Sequence, residues 1–275
     1  MVDGCMRWRR WAVVAGLLIV GGFFAVAVGQ RSHAVPASRS SLSVAAAADL
    51  KFAMDDLIAA FADERGNVAV SVSYGSSGQF FAQLSSGAPF DIFLSADADY
   101  PRRLAVNGLT LPGSDFLYAI GRIVVWAPRA ATFDVRALGM ETLRHPAVRR
   151  VAIANPEHAP YGRAAEAAMR SLGIYDDVRQ KLVFGENVAQ AAQFVQSRAA
   201  DVGVIALSLA LAPPLVNEGQ YWEIPLDAYP RIEQGGVIMK HTRQAAAARA
   251  FRDFVLGVRG RSILVQHGFS LPGPR

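Results

Sequence analysis

The sequence predicts an α/β fold in which parallel strands are joined by crossover helices. From position 41 onward, short apolar runs alternate with longer segments of helical periodicity, and this order is typical of parallel sheets. The apolar runs are continuous rather than alternating, as expected for strands covered on both faces. With 275 residues, of which 52% are apolar and 19% charged, the chain can bury one large core or two modest ones.

The N-terminal residues 1–40 are predicted to be an export signal followed by a linker. Arg7, Arg9 and Arg10 precede an uncharged apolar run at 11–29, which is typical of a secretory signal. The run is also close to the roughly 18 residues that can span a bilayer, so an uncleaved anchor is the alternative. In either case we expect the functional part of the chain to lie outside the cytoplasm.

Charge and cysteine content exclude several classes of protein. Five of the 28 basic residues and one of the 23 acidic residues lie in the first 40 positions, so the remainder is nearly neutral. A nearly neutral domain gives no reason to expect a nucleic-acid partner. The single cysteine excludes an intrachain disulfide framework and a cysteine-based zinc site.

In chain order, the first predicted elements are a strand at 41–46, a helix at 49–66, a strand at 68–74, a helix at 79–87, a strand at 91–96 and a helix around 100–105. β-Branched residues favour the strand at 68–74. Gly66 and Gly87 end the two longer helices, because glycine accommodates the backbone that follows a helix.

The second half continues the alternation with strands at 122–128, 149–154, 181–184, 201–208 and 235–239, and with helices at 163–173, 188–200, 245–257 and just before Gly268. Two joints between these elements fall near Gly121 and Pro230. They divide the chain into two groups of strands and helices, with no internal repeat of 20–50 residues.

Four of the predicted strands are followed by small, polar or Gly/Pro-containing segments that open a helix. These segments are 47–49, 74–78, 155–162 and 185–188. Helix N-termini carry unpaired N–H groups and a partial positive charge, and ligands of open α/β sheets bind at the carboxyl ends of strands. Each segment alone is also an ordinary turn or cap, with Ser77 as an N-cap. Together they predict an anion site made of neutral donors.

Catalytic motifs are not found. The serine pair lies in Gly75-Ser76-Ser77-Gly78-Gln79 rather than in G-x-S-x-G, and H-E-x-x-H, a P-loop and G-x-G-x-x-G are missing. The histidines are scattered along the chain. The sequence therefore predicts a binding protein rather than an enzyme, with a secreted hydrolase as the weakest alternative.

These motifs identify a resemblance to the periplasmic molybdate-binding proteins of bacterial molybdate ABC transporters, from about Leu42 to Phe269. The segments that carry it are VAAAADLKFAMDDL, VSYGSSGQFFAQLSSGAPFDIFLSAD, VAIANPEHAPYGRAA and FRDFVLGVRGRSILVQHGF. The resemblance implies a type II periplasmic binding protein fold, in which two α/β lobes surround a ligand cleft. Lobe 1 would comprise 42–121 plus 230–275, and lobe 2 would comprise 122–229.

The resemblance also implies the residues that contact the oxyanion, which are Ala48, Asp49, Ser76, Ser77, Tyr161 and Val188. The family places a hydroxyl donor after the first strand, where this chain has Ala48 and Asp49. A further family tyrosine falls on Ala206. Tyr161, which lies in the opposite loop, could supply the phenol hydroxyl that Ala206 lacks. Ser208 could also contribute a hydroxyl.

Asp49 is the departure with the clearest physical consequence. Molybdate and tungstate are dianions that only accept hydrogen bonds, so a facing carboxylate is repelled by about 4 kcal/mol at ~4 Å and an effective dielectric constant near 20. Either Asp49 turns away and caps its own helix while backbone N–H groups face the anion, or the ligand carries a proton. The first alternative predicts that Asp49→Asn retains or improves molybdate binding.

The resemblance implies capture of molybdate, together with tungstate, for delivery to the permease of an ABC importer. It implies a monomer located in the periplasm, without catalysis and without a cofactor beyond the bound oxyanion. Membrane contact would occur only through the signal segment or the permease. The alternatives are a binding protein for sulfate or phosphate, and an oxyanion sensor tethered to the membrane by residues 11–29.

Overall fold

The computed structural model describes residues 40–66 and 68–273. Its strands are β1 (Ser40–Ala47), β2 (Val68–Gly75), β3 (Ile92–Ser95), β4 (Phe116–Gly121), β5 (Ile123–Pro128), β6 (Val151–Ala154), β7 (Leu182–Gly185), β8 (Val202–Ala206), β9 (Gly219–Glu223) and β10 (Ile232–Ile238). Its helices are α1 (Lys51–Glu64), α2 (Ser77–Ser85), α3 (Asp99–Val106), α4 (Val135–Leu138), α5 (Pro160–Ser171), α6 (Tyr175–Val178), α7 (Val188–Gln196), α8 (Leu207–Ala210), α9 (Pro213–Val216), α10 (Ala245–Leu256) and α11 (Val258–Gln266). Short 3₁₀ segments cover Ala48–Leu50, Gly139–Arg144 and Arg179–Lys181.

The strands form two five-stranded sheets with the orders β2-β1-β3-β10-β4 and β7-β6-β8-β5-β9. In the first sheet β1 is parallel to β2 and β3, and in the second β6 is parallel to β7 and β8. The predicted α/β fold is therefore confirmed. Both sheets are mixed, since β10 runs antiparallel to β3 and β4, and β5 runs antiparallel to β8 and β9.

The chain passes from the first sheet to the second between β4 and β5, and it returns between β9 and β10. These two passages lie beside the joints near Gly121 and Pro230. The division into a lobe of 42–121 plus 230–275 and a lobe of 122–229 stays a prediction, which this topology supports.

Each sheet has its own hydrophobic core. On one face of the first sheet, Phe61 of α1 packs edge-on against Phe251 of α10, with ring centroids 5.1 Å apart. Phe80 of α2 packs on the opposite face of this sheet. The second sheet buries Trp126 and the apolar side of α5. Helices on both faces explain why β3, β6 and β8 are continuously buried, whereas β2 at the edge of the first sheet alternates in burial.

The predicted export segment lies outside the described residues except for Ser40. Within residues 40–66 and 68–273, no helix has both the length and the apolar character needed to cross a bilayer.

Candidate functional site

All six predicted site residues line one small pocket where the two sheets face each other. The pocket has a cavity volume of about 10 Å³, far below the ~300–1,000 Å³ of pockets for drug-sized ligands. Its lining residues are Ala47, Ala48, Asp49, Gly75, Ser76, Ser77, Ala96, Ala159, Pro160, Tyr161 and Val188. The size suits a ligand of a few atoms.

Four helix starts surround this pocket, as the sequence predicts. The 3₁₀ segment that leads into α1 begins at Ala48, α2 begins at Ser77, α5 begins at Pro160 and α7 begins at Val188. Each start follows the carboxyl end of a strand, directly or after a short loop. Because helix N-termini have a partial positive charge, the pocket favours an anion although no Lys or Arg lines it.

Unpaired backbone donors lie at the start of α7 and α5. The Asn187 side-chain oxygen accepts hydrogen bonds from the N–H groups of Ala189 and Gln190, at 3.0 and 3.1 Å. The Val188 N–H is left without an acceptor in the described part of the chain, as is the Tyr161 N–H. Both residues line the pocket, so these N–H groups can donate to an anion there.

The adjacent serines of the second loop have different roles. Ser76 is the N-cap of α2, and its Oγ accepts a hydrogen bond from the Gln79 N–H at 3.3 Å. The prediction of Ser77 as the cap is therefore wrong, because the helix begins at Ser77 itself. Ser77 Oγ accepts a hydrogen bond from the Ala96 N–H at 2.9 Å. This bond uses a lone pair, so the hydroxyl proton of Ser77 remains available to an anion.

Asp49 belongs to a buried hydrogen-bonded cluster that joins the two sheets. The Tyr161 hydroxyl donates to Asp49 Oδ2 at 2.9 Å, and Gln234 Nε2 donates to the same oxygen at 2.5 Å. Gln234 Nε2 also lies 3.0 Å from the Tyr161 hydroxyl oxygen, which accepts from it. The exposed fractions of the three residues are 1% for Asp49, 3% for Tyr161 and 0% for Gln234, so water does not compete for these bonds.

This cluster corrects two expectations about the site. Asp49 does not simply cap its own helix, because its carboxyl group is bonded to Tyr161 and Gln234. The Tyr161 hydroxyl does not replace the family's missing phenol, because it donates its only proton to Asp49. What Tyr161 can offer an anion is its backbone N–H. Ala206, where the family has tyrosine, ends β8 and is buried.

Burial has the largest effect on the pKa of Asp49. Desolvation raises the pKa of Asp49 from 3.8 to about 6, although the hydrogen bonds from Gln234 and Tyr161 oppose it. The nearby backbone N–H groups of Asp49 and Leu50 add smaller effects in the same lowering direction. Burial and the charge of Asp49 also raise the pKa values of Tyr161 and Tyr118 well above 10, so both phenols keep their protons.

Gln234 is a member of this cluster that the sequence did not predict. This residue lies in β10, directly before the glycines of the predicted strand at 235–239. A polar side chain beside an apolar run was the available signal, but nothing in the sequence pairs position 234 with position 49. Ser208, the weaker candidate, donates its hydroxyl to the backbone oxygen of Asp49 at 2.8 Å and so holds this loop in place.

Further contacts cross the cleft beside the pocket. The Gly78 N–H donates to the backbone oxygen of His158 at 2.9 Å, and Gln79 Nε2 donates to Glu186 Oε2 at 2.5 Å. Arg163 of α5 pairs with Asp97, which follows β3. These contacts describe a closed state, in which the elements of the two sheets touch on several sides of the pocket. No cluster of His, Cys, Asp and Glu that could hold a metal cation is found among the described residues.

Comparison with known proteins places this geometry in a family. Residues 42–270 match the family of bacterial extracellular solute-binding proteins. The chain is 37% identical over 237 residues to the molybdate-binding protein ModA of Rhodobacter capsulatus, which covers 86% of this chain and 90% of that protein. It is 34% identical over 246 residues to ModA of Azotobacter vinelandii, covering 90% and 96%. The solved structure of the Azotobacter vinelandii periplasmic molybdate-binding protein superposes with a TM-score of 0.79 and 35% identity, over 84% of this chain and 100% of that one.

Proposed function

The chain belongs to the family of bacterial extracellular solute-binding proteins, and from this premise we propose that it captures molybdate, and tungstate with it, between two lobes. The bound ion is delivered to the permease of an ABC importer. The protein acts as a monomer in the periplasm and binds the ion without converting it or using a cofactor. The names of its relatives support molybdate as the ligand.

The observation that carries the proposal is a pocket that offers hydrogen-bond donors without offering a cation. The Ser77 hydroxyl and the N–H groups of Tyr161 and Val188 converge at the ends of three helices. A tetrahedral dianion accepts hydrogen bonds on every oxygen and matches such a donor set. Charge-assisted hydrogen bonds of this kind are about twice as strong as neutral ones.

Ligand capture and lobe closure are coupled in this proposal. Ser77 belongs to the first sheet's elements, while Tyr161 and Val188 belong to the second sheet's elements. An anion that receives hydrogen bonds from both sides favours the closed arrangement, because its contacts are incomplete when the lobes separate. The closed form is then the species that the permease receives.

Selectivity among tetrahedral dianions follows from the size of the cavity. Sulfate is smaller than molybdate, and donors fixed for the longer metal–oxygen bonds leave it with fewer contacts. Molybdate and tungstate are nearly the same size, so we expect both to bind.

Calorimetric titration of the full chain with molybdate, tungstate, sulfate and phosphate at matched ionic strength tests the proposal. We expect tight binding of molybdate and tungstate alone. Preferential phosphate binding would contradict the assignment and make Asp49 an acceptor for a protonated ligand. Failure of all four anions to bind would contradict the proposal and favour a repurposed sensor that keeps the fold without binding these oxyanions.

A further inference from the structure

The side-chain hydrogens of the Asp49 cluster do not reach two of its buried acceptors. Three hydrogens are available, one on the Tyr161 hydroxyl and two on Gln234 Nε2, and the Asp49 Oδ2 atom and the Tyr161 oxygen use them. Within the described part of the chain, Asp49 Oδ1 and Gln234 Oε1 are buried and have no hydrogen-bond partner. Buried acceptors are nearly always satisfied in native proteins, so this arrangement calls for an additional donor.

The proposed ligand makes the shortage of hydrogen-bond donors more severe. Asp49 lines the pocket, and a dianion there can only accept hydrogen bonds, as can an ionised carboxylate. The first loop offers no hydroxyl, since Ala48 precedes Asp49. An ionised Asp49 would therefore place a repelling charge at the position where a donor is needed.

We propose that Asp49 enters the loaded site as a carboxylic acid with its hydrogen on Oδ1, so that capture of each dianion takes up one proton. In this state Oδ1–H donates toward the anion, while Oδ2 keeps its bonds from Tyr161 and Gln234. The proton comes from the solvent buffer, and an O–H bond forms on Asp49. This inference rests on the proposed capture of an oxyanion dianion.

Among the described residues, no other titratable group that faces Asp49 could take up this proton. The titratable groups that face it are the phenols of Tyr161 on α5 and Tyr118 on β4, and both stay protonated because burial raises their pKa values. No Lys, Arg, His or second carboxylate contributes to the shifted pKa of Asp49 within the described residues.

The nearest charged side chains are directed elsewhere. On α5, Arg163 pairs with Asp97, and on β10, Glu233 lies 3.7 Å from Arg231. Lys51, the first residue of α1, stands over the ring of Phe52. The packed helices α7 and α8 carry no charged residue.

The pKa of Asp49, already about 6 without a ligand, is consistent with proton uptake near neutral pH. A dianion in the pocket favours the protonated form further, because a like charge disfavours ionisation. Above pH 6, binding must therefore draw a proton from solution, and the affinity falls as the pH rises.

Calorimetry of the full chain with molybdate at pH 7.5, in buffers of different ionisation enthalpy, counts the protons directly. We expect close to one proton taken up per anion, and a dissociation constant that rises about tenfold per pH unit between pH 7 and 8.5. Tight binding with no proton uptake and no pH dependence would overturn this inference while leaving the proposed function intact. Absence of molybdate binding at every pH would overturn both.

The variant Asp49→Asn supplies the missing hydrogen permanently. Its amide nitrogen replaces Oδ1–H and its oxygen replaces Oδ2, so we expect no proton uptake, no pH dependence, and an affinity that exceeds that of the wild type by a growing factor as the pH rises above 7. The matched control is Asp99→Asn, which changes an exposed carboxylate on α3 and should keep the wild-type proton count. If Asp49→Asn does not fold, the proton count of the wild-type chain still decides the matter.

Discussion

At the residue scale, Ser76 and Ser77 are neighbours with separable roles. The Ser76 hydroxyl caps α2, whereas the Ser77 hydroxyl faces the pocket with its proton free. We expect Ser77→Ala to weaken molybdate binding about 10- to 100-fold, since a hydrogen bond to a charged group contributes about 1.5–3 kcal/mol.

The control for this prediction is Ser76→Ala. Loss of an N-cap lowers the free energy of unfolding by about 1 kcal/mol, so this variant should melt earlier but bind molybdate nearly as well as wild type. Ser77→Ala also leaves the Ala96 N–H unpaired and loses some stability, so the affinity from calorimetry is the discriminating measurement. An equal loss of affinity in both variants would show that the Ser77 proton does not contact the anion.

What the sequence can predict at this scale depends on whether the relevant contact is local. Ser77 and Val188 are identifiable because a turn followed by helical periodicity marks the first residues of a helix. The contacts of Asp49 are not local, since its partners Tyr161 and Gln234 are 112 and 185 positions away in the chain. The burial of Asp49, and therefore its raised pKa, depends on residues of both sheets and is not encoded in the local sequence.

At the element scale, α7 provides a way to remove a single backbone donor. Val188 is the first helical residue, and proline is well tolerated at this position because the N–H there has no partner within the helix. Asn187 has φ −150° and ψ 175°, which is the extended backbone that a residue before proline prefers. Val188→Pro should therefore preserve the helix while deleting the donor.

We expect Val188→Pro to lower the affinity for molybdate about 10- to 100-fold, again because a charge-assisted hydrogen bond is lost. Val188→Ala keeps the N–H and should bind within a few-fold of wild type. Comparison of the two variants therefore separates the effect of losing the backbone N–H from the effect of changing the side chain. Calorimetric titration and thermal unfolding of both variants provide the measurement. Wild-type affinity in Val188→Pro with an unchanged melting temperature would exclude this N–H from the site.

The elements also differ in how far the sequence determines them. The helix start at Val188 follows from local turn and capping chemistry, whereas α2 and α5 begin two and three residues before the predicted helices at 79–87 and 163–173. Strands β4 (Phe116–Gly121) and β9 (Gly219–Glu223) were not predicted, although both carry aromatic residues that favour strands. They form the edges of their sheets, beside β10 and β5.

At the scale of the whole molecule, binding depends on how closely the two lobes approach. Gly78 lies at the start of α2, and a Cβ atom at this position would be 2.6 Å from the backbone oxygen of His158 across the cleft. Its own N–H donates to that oxygen at 2.9 Å. The glycine is therefore required for the closed state, whereas alanine favours the isolated helix by about 0.5–1 kcal/mol.

Gly78→Ala should hold the lobes apart without harming the fold. Overpacking costs about 1–3 kcal/mol, so we expect molybdate affinity to fall about 10- to 100-fold while the melting temperature of the ligand-free protein stays the same or rises. Small-angle scattering should show that saturating molybdate reduces the radius of gyration of the wild-type chain more than that of the variant. The matched control is Gly66→Ala, whose Cβ would meet only the backbone oxygen of Ala62, in the preceding helix α1, at an ordinary 3.4 Å. If Gly78→Ala compacts and binds like wild type, the lobes do not close through the Gly78–His158 contact, and closure must depend on the other contacts across the cleft, which include the Asp49 cluster, the Gln79–Glu186 bond and the Arg163–Asp97 pair.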